Sequence, residues 1–276
     1  LMGSFLAASK GRFDWNICLL AVLTTLLLQI LSNLANDYGD TQNGADNALR
    51  KGPERAVQSG VITAREMLAA ISLFAVLSLV SGLSLLFISI NAVDFKFLVF
   101  LIAGLLAIAA AIKYTAGKNP YGYAGLGDVS VFLFFGITGV YGSYYLFTNE
   151  LISDILLPSY SLGVFSVAVL NLNNMRDILP DTMAGKKTIP FRIGYEKAKV
   201  YHLSLLISGF LTALFYVLLH YKSPLNFLFV IAAPLFFKNG FTIYKSDASF
   251  NIDPLLKQMA LSTLLFVMLF GIGINF

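Results

Sequence analysis

The sequence changes character at residue 36, where the apolar run NICLLAVLTTLLLQILSNLA (residues 16–35) meets the polar segment NDYGDTQNGAD (residues 36–46). About twenty apolar residues in a helix, at a rise of about 1.5 Å each, cross the hydrocarbon core of a bilayer. If the helix continues into the polar segment, Asn36, Asp37 and Asp40 lie on one of its faces. Carboxylates at the membrane end of a helix are costly unless they are paired or metal-bound, so they predict a functional site.

The composition supports a membrane protein. The 276 residues are 57% hydrophobic and 12% charged, with a mean hydropathy of +0.76, whereas a soluble domain carries about twice that charged fraction. We therefore predict an all-α, polytopic membrane protein with one transmembrane domain over residues 1–276. Residues 1–9 resemble the tail of a further helix, and we expect the front half of the first of nine helices to be missing. Apolar segments predict eight complete spans, at residues 15–36, 66–90, 97–113, 123–147, 152–176, 199–220, 224–244 and 255–275.

Lysine and arginine are distributed unequally between the two sets of predicted loops. The loops on the side of residue 36 hold fifteen of the 19 cations. The opposite side holds the other four, which are Lys10, Arg12, Lys96 and Lys222. Cytoplasmic loops carry an excess of positive charge, so the polar segment is predicted to face the cytoplasm.

A second polar segment, NLNNMRDILPD at residues 171–181, closes the predicted span 152–176. Asn173, Asp177 and Asp181 follow each other at intervals of four, which predicts one common helical face. Two such clusters on one membrane side suggest two related halves whose carboxylates face each other across a cavity. The alternative is that each cluster is simply a solvated helix terminus.

Oxygen ligands on two facing helices suit Mg²⁺, which prefers a few carboxylates together with water and phosphate oxygens. Basic residues follow each cluster, as a diphosphate site requires, because arginine grips phosphate oxygens bidentately and lysine adds a point charge. For any single cation, the excess of positive charge in cytoplasmic loops is an equally good explanation. The basic residues are Arg50, Lys51 and Arg55 after the first cluster and Lys186 and Lys187 after the second.

A third loop, KYTAGKNPYGYAGLGD at residues 113–128, is dense in glycine, tyrosine and cations. Lys118 is its central cation, and Asp128 opens the next apolar span, from which we expect it to reach the same cavity. The chain also has 24 phenylalanines and 13 tyrosines. Such aromatic side chains can line a cavity and shield a carbocation through cation–π attraction.

These segments together resemble the UbiA-type intramembrane prenyltransferases. The matching stretches are NDYGD with Gly44 and Asp46, GPERAVQSG at residues 52–60, PYGYAGLGD at residues 120–128, and NNMRDILPDTMAGKKT at residues 173–188. The run at residues 55–60 and the Tyr-Gly-Tyr loop are most similar to the branch that prenylates a naphthoate. The sequence departs from the pattern at Asp128, where a glutamate is common, and in its short first helix.

The resemblance implies nine helices around a central cavity, in the cytoplasmic membrane of a bacterium. It implies transfer of a polyprenyl group from polyprenyl diphosphate to 1,4-dihydroxy-2-naphthoate, with loss of CO₂, and no nucleic-acid partner. Mg²⁺ ligands implied by it are Asp37, Asp40, Asp177 and Asp181, with Asn36 and Asn173 as neutral ligands or orienting groups. Diphosphate contacts implied by it are Arg55 and Lys186, followed by Arg50 and Lys118. Asp46 and Asp128 are implied in metal support or acceptor positioning.

Three other functions remain open at this point. The nearest is a related enzyme with another aromatic acceptor, such as 4-hydroxybenzoate. An ion-coupled transporter also carries intramembrane aspartates, although these usually lie at the bilayer midplane rather than beside basic loops at helix ends. A CDP-alcohol phosphotransferase is disfavoured because its Asp-Gly-x-x-Ala-Arg pattern is absent from the sequence.

Overall fold

The computed structural model describes residues 1–46, 55–90 and 92–276, and these residues form helices without a β-strand. Eight helices in this described part are long and apolar enough to cross a membrane. The predicted all-α architecture with eight spans is thereby confirmed. The helices are α1 Met2–Ala8, α2 Trp15–Gln42, α3 Ala64–Ser89, α4 Phe95–Lys113, α5 Gly127–Thr148, α6 Ser153–Arg176, α7 Ile178–Met183, α8 Ile189–Ile193, α9 Tyr195–Leu219, α10 Pro224–Lys245 and α11 Asp253–Asn275.

Polar side chains start three of the spans by satisfying backbone amides that have no partner inside the helix. Asp14 accepts hydrogen bonds from the amides of residues 16 and 17 at the start of α2. Asp94 does the same for the amides of residues 96 and 97 at the start of α4. At the start of α3, Thr63 and Glu66 form a reciprocal capping box.

Helix α2 continues into the polar segment as far as Gln42, so that Asn36, Asp37 and Asp40 are all helical, as the sequence hypothesis required. Its 28 residues correspond to a length of about 42 Å, which exceeds the hydrocarbon core of about 30 Å. The aspartates therefore lie at the end of a helix that is longer than the core is thick. Asn43 ends the helix and Gly44 follows with a φ of +74°, a left-handed conformation that glycine adopts without strain.

The second polar segment is built differently from the prediction. Helix α6 ends at Arg176, Asp177 has non-helical dihedral angles (φ −99°, ψ 15°), and the separate helix α7 begins at Ile178. The predicted single helical face through Asn173, Asp177 and Asp181 is therefore wrong. Pro180 gives the physical reason, because its ring lacks an N–H and clashes with the carbonyl group four residues earlier.

The chain divides into two compact units, which we describe separately. The smaller unit comprises Asp14–Gly127 and Asp177–Thr188, and in it α2, α3 and α4 pack against one another. Its apolar core is a cluster of four buried side chains, Leu31, Ala35, Met67 and Ile71. The outer face of α4 is apolar and only 6% of its most apolar stretch is buried, as expected for a helix that contacts lipid.

The larger unit comprises Leu1–Phe13, Asp128–Arg176 and Ile189–Phe276. Helix α6 is its centre, with 61% of its most apolar stretch buried. The middle of α5, Phe132–Gly142, is π-helical, and a Cβ on its Gly136 would lie 2.8 Å from the Cα of Gly163 on α6. Helix α1 lies within residues 1–9, which were predicted to be helical, and packs against α11. The core contains a cluster of stacked and edge-on phenylalanines, Phe165, Phe210, Phe229, Phe236, Phe266 and Phe270.

Candidate functional site

Asp40, in the last turns of α2, is the central carboxylate of a charged cluster in the smaller unit. Its side chain is almost fully buried and receives donors from three separate segments of the chain. Nη2 of Arg55 lies 2.9 Å from one oxygen, and the hydroxyl of Tyr123 donates to the other at 3.0 Å. The Nζ of Lys186 lies 3.7 Å from that second oxygen. Removing one partner of such a buried ion pair typically costs about 3–5 kcal/mol, because the remaining charge is left without compensation.

The turn that follows α2 supplies a second buried carboxylate. Asp46 lies 3.3 Å from the Nε of Arg55, and its other oxygen accepts a hydrogen bond from the hydroxyl of Thr41 at 3.1 Å. The backbone amide of Asp46 donates a hydrogen bond of 3.4 Å to the backbone carbonyl of Asp40. The guanidinium of Arg55 therefore joins the two carboxylates through different nitrogens, a geometry that lysine cannot reproduce.

Lys186 brings the second polar segment to the same cluster. Its Nζ lies 3.8 Å from a carboxylate oxygen of Asp181, and it also approaches Asp40. The backbone amide of Lys186 donates to the carbonyl of Asp181 at 2.8 Å, which closes the turn after α7. Asp40 and Asp181, one from each polar segment, thus both lie near the buried Lys186, although they belong to different helices.

Tyr123 is a member of this cluster that the sequence prediction did not single out. Besides its hydroxyl bond to Asp40, its ring lies beneath Lys186 Nζ at 5.4 Å, and its carbonyl accepts the amide of Lys187 at 2.9 Å. Burial, followed by the negative charges of Asp40, Asp181 and Asp46, raises the pKa of the Tyr123 phenol. The phenol therefore stays protonated and acts as a donor. The sequence signal was its place in the quoted Tyr-Gly-Tyr loop.

Asn36 and Gly39 hold this loop against α2. The hydroxyl of Thr115 donates to the side-chain oxygen of Asn36 at 3.0 Å, and the side-chain Nδ2 of Asn43 donates to the carbonyl of Thr115 at 2.8 Å. A Cβ on Gly39 would lie 2.4 Å from the carbonyl carbon of Thr115, which backbone atoms cannot accommodate without moving. Glycine in the polar segment is thus required by close approach of two backbones.

The other predicted site residues of the smaller unit lie outside the charged cluster. Asp37 accepts two backbone amides from the segment after Arg55. Asp177 occupies the break before α7, and its carbonyl accepts the amide of Asp181. Lys118 is exposed and forms no ion pair with the residues that the structure describes. Arg50 and Lys51 lie outside the described residues.

Two predicted site residues belong to the larger unit. Asn173, on α6, accepts a hydrogen bond from Nη2 of Arg176 at 2.8 Å, and Nη1 of Arg176 forms an ion pair with Asp253 at 2.8 Å. Asp128, in the first turn of α5 as predicted, accepts a hydrogen bond from the hydroxyl of Tyr201 at 2.9 Å. Asn173 and Asp128 therefore each accept a hydrogen bond from a side chain of the larger unit.

The donor set of the charged cluster suits a hard cation such as Mg²⁺. Asp40, Asp46 and Asp181 offer carboxylate oxygens, which are the protein ligands that Mg²⁺ prefers. Among residues 1–46, 55–90 and 92–276, no three acidic or histidine side chains converge closely enough to hold a metal by themselves. Mg²⁺ typically binds through one or two carboxylates, with water and substrate phosphates completing its octahedron. The residues present fit that kind of site.

Comparison with known proteins places the chain in a family. The model of the UbiA prenyltransferase family matches residues 1–270. The chain is 44% identical to a 1,4-dihydroxy-2-naphthoate octaprenyltransferase of Haemophilus influenzae, over 97% of this chain and 86% of that protein. It is 43% identical to the protein of the same name from Escherichia coli, over 99% and 89% of the two chains.

Solved structures agree at the level of the fold. A UbiA homolog from Archaeoglobus fulgidus, bound to GPP and Mg²⁺, superposes with a TM-score of 0.64 at 16% identity, covering 99% of this chain and 95% of that one. A digeranylgeranylglyceryl phosphate synthase superposes with a TM-score of 0.61 at 17% identity, covering 99% and 91%. Because the family model matches residues 1–270 of the 276, this chain belongs to the UbiA prenyltransferase family.

Proposed function

We propose that this chain transfers a polyprenyl group from polyprenyl diphosphate to 1,4-dihydroxy-2-naphthoate, with release of diphosphate and CO₂. The observation that carries the proposal is the charged cluster, in which Arg55 and Lys186 meet the carboxylates of Asp40 and Asp181. Two cations beside carboxylates are suited to a departing diphosphate, which gains negative charge as its bond to carbon breaks. The naphthoate acceptor is supported by the names of relatives that are 43–44% identical to the chain.

In this proposal the cations of the cluster bind the donor. The guanidinium of Arg55 and the ammonium of Lys186 donate hydrogen bonds to phosphate oxygens. Tyr123 and the carboxylates keep both cations oriented while no substrate is bound. Lys118, and Arg50 outside the described residues, are proposed as further cations for the diphosphate. Because these groups are already positioned, little reorganisation is needed as charge develops on the diphosphate.

The metal part of the proposal rests on the carboxylates. Asp40, Asp46, Asp177 and Asp181 would hold Mg²⁺, and Asn36 would orient neighbouring groups, whereas Asn173 is held by Arg176 within the larger unit. When bound, Mg²⁺ would neutralise part of the charge on the diphosphate. Support for a metal comes from the hard oxygen donors of the cluster and from the fold similarity to a homolog solved with Mg²⁺.

The chemical steps balance without any further reactant. The allylic carbon–oxygen bond breaks, and its electron pair leaves with the diphosphate. The ring carbon that carries the carboxylate attacks the allylic cation and forms the new carbon–carbon bond. Loss of CO₂ returns the electron pair of the carboxyl bond to the ring, so that the product is the quinol form of demethylmenaquinone. We assign acceptor positioning to Asp128, whose carboxylate is held by Tyr201.

The proposed membrane location is the cytoplasmic membrane of a bacterium, with the charged cluster on the cytoplasmic side. The support is the distribution of cations along the sequence, of which fifteen of 19 lie in the loops predicted on the side of residue 36. Cytoplasmic loops of membrane proteins carry an excess of lysine and arginine, and this bias sets the orientation of the chain.

Product analysis in membranes tests the function directly. The chain is expressed in cells that lack their own prenylated naphthoquinones, and the membranes receive polyprenyl diphosphate with either 1,4-dihydroxy-2-naphthoate or 4-hydroxybenzoate. We expect a demethylmenaquinone by mass spectrometry with the naphthoate alone, and no product from membranes of an Asp40→Asn/Asp181→Asn variant. A product with 4-hydroxybenzoate alone would identify another acceptor. Absence of any prenylated product would contradict the proposal.

A further inference from the structure

Asp37 lies one turn before Asp40 on α2, but its carboxylate contacts backbone amides. One oxygen accepts a hydrogen bond from the amide of Ala56 at 3.1 Å, and the other accepts from the amide of Val57 at 3.3 Å. The two donors are consecutive along the chain. Both oxygens of Asp37 are therefore used to hold one short stretch of backbone against α2.

The residue immediately before these two amides is Arg55. Its guanidinium reaches Asp40 at 2.9 Å and Asp46 at 3.3 Å. Asp37 thus fixes the backbone from which the arginine side chain starts, whereas Asp40 and Asp46 fix where the guanidinium ends. A long side chain is well oriented only when both of its ends are held, because each free rotor costs conformational entropy.

The stretch after Arg55 is a packed turn that needs such an acceptor. The amide of Ser59 donates to the carbonyl of Arg55 at 2.9 Å, and the amide of Gly60 donates to the carbonyl of Val57 at 3.2 Å. The amides of Ala56 and Val57 come first in this turn, where no carbonyl inside the turn is available to them. Ala56 and Val57 also pack against the core cluster of the smaller unit. Asp37 on α2 therefore accepts hydrogen bonds from the first amides of this turn, as an N-cap residue does for the first amides of its own helix.

We propose that Asp37 is a positioning residue for the donor site, which aims Arg55 at the diphosphate and is not itself a ligand of the metal. This assignment rests on the proposed function, and it differs from the metal-binding role that the sequence resemblance implies for Asp37. It predicts that loss of Asp37 disturbs the segment after Arg55 and weakens diphosphate binding, while the Mg²⁺ requirement stays as in the parent protein.

The first test measures the backbone and needs neither substrate nor metal. Hydrogen exchange is followed in detergent with EDTA, on peptides that cover residues 55–62. In Asp37→Ala we expect the amides of Ala56 and Val57 to exchange about tenfold faster or more, since they lose charge-assisted hydrogen bonds. Asp37→Asn, which keeps one acceptor oxygen, should lie between Asp37→Ala and the parent. Asp94→Ala is the matched control, because Asp94 also accepts two backbone amides but caps α4.

The second test separates positioning from metal binding. Binding of geranyl diphosphate to the purified full chain is measured by calorimetry over a series of Mg²⁺ concentrations. Asp37→Ala and Arg55→Ala should each weaken binding about tenfold at saturating Mg²⁺, and Asp37→Ala should not raise the half-saturating Mg²⁺ concentration. Combining Asp37→Ala with Arg55→Ala should add little to Arg55→Ala alone, because both changes remove the same contact.

Two results would overturn the proposal. One is unchanged exchange of the Ala56 and Val57 amides in Asp37→Ala. The other is a marked rise in the Mg²⁺ requirement of Asp37→Ala that Arg55→Ala does not share, which would make Asp37 a metal ligand. Neither measurement uses the acceptor, so a failure of the naphthoate assignment appears in product analysis alone and leaves these outcomes distinct.

Discussion

At the end of α2, Asp37 and Asp40 stay on one continuous helix, whereas α6 stops at Arg176 and Asp181 belongs to the separate helix α7. The two polar segments have similar sequences, with an asparagine followed by aspartates at helical intervals. The difference is Pro180, which the first segment lacks and which prevents the second from continuing as one helix. Similar spacing of acidic residues therefore does not imply the same local structure.

The break after α6 changes what each polar residue can contact. Asn173 remains on α6 and is held by Arg176 in the larger unit, whereas Asp181 is carried by α7 and reaches Lys186 in the smaller unit. In the first segment the continuous helix delivers Asn36, Asp37 and Asp40 to neighbours of one unit. The proposed site accordingly relies on Asp40 and Asp181 more than on the asparagine of the second segment.

The largest effect is expected from Asp40→Asn. The carboxylate of Asp40 contacts Arg55, Tyr123 and Lys186. Neutralising it removes the charge that orients the guanidinium of Arg55 and the ammonium of Lys186. We expect kcat/KM for prenylation to fall by about 10²–10³-fold, the size of effect seen when one preorganised electrostatic group is removed. The assay uses membranes matched for protein amount, with Asp94→Asn as control. Parental activity in Asp40→Asn would remove Asp40 from the centre of the site.

Pro180→Ala tests whether the helix break itself matters. Alanine restores an N–H and removes the ring, so that α6 can extend and carry Asp181 out of register with Lys186. We expect donor binding to weaken by between about 10- and 100-fold, because small misplacements of positioned groups have effects of this order. The measurement is calorimetric titration with geranyl diphosphate. If binding is unchanged, the break at Asp177 does not need proline.

Tyr123→Phe separates the hydroxyl from the ring. The variant loses the hydrogen bond to Asp40 but keeps the aromatic face beneath Lys186. One neutral donor to a carboxylate is worth roughly 1–2 kcal/mol, so we expect a decrease in kcat/KM of about 5–30-fold. A steady-state comparison with Tyr123→Leu, which also removes the ring, is the matched experiment. Equal activity of Tyr123→Phe and the parent would show that the ring alone matters.

The smallest effect is expected from Asn173→Ala. Its side chain is held by Arg176, and Arg176 keeps a second partner in Asp253. We expect a loss of unfolding free energy of about 0.5–1.5 kcal/mol with donor affinity and Mg²⁺ requirement like those of the parent. Thermal unfolding in detergent and calorimetry measure the two quantities. A large loss of Mg²⁺ affinity would restore the metal-ligand role that the resemblance implies.

Hydropathy and charge were sufficient for the broad architecture. All eight spans, the continuation of α2 and the position of Asp128 at the start of α5 followed from the sequence. Arg55 and Lys186 were singled out because they follow the acidic segments, and both are paired with acidic residues of the cluster. These features depend on local composition, which can be read directly from the sequence.

The remaining features depend on contacts between distant segments. The bonds from Asp37 to the amides of Ala56 and Val57 use backbone groups, which have no signature in side-chain chemistry. The chain has 13 tyrosines, and the sequence does not indicate which of them contacts a carboxylate. The hydroxyl of Tyr123 comes close to Asp40 only in the folded chain. The face predicted for Asn173 and Asp181 failed because helical periodicity was extended through Pro180, whose effect on the helix outweighs the spacing.

In the proposed donor site, Arg55 and Lys186, from different segments of the chain, bind one diphosphate. The most direct measurement is calorimetric binding of geranyl diphosphate, with Mg²⁺, to purified Arg55→Gln, Lys186→Gln and Lys238→Gln, the last an exposed lysine of α10. We predict that the first two variants each bind about tenfold more weakly or worse, as expected from losing a charge-assisted hydrogen bond, and that Lys238→Gln binds like the parent. Parental affinity in either Arg55→Gln or Lys186→Gln would contradict a donor site built on these two cations.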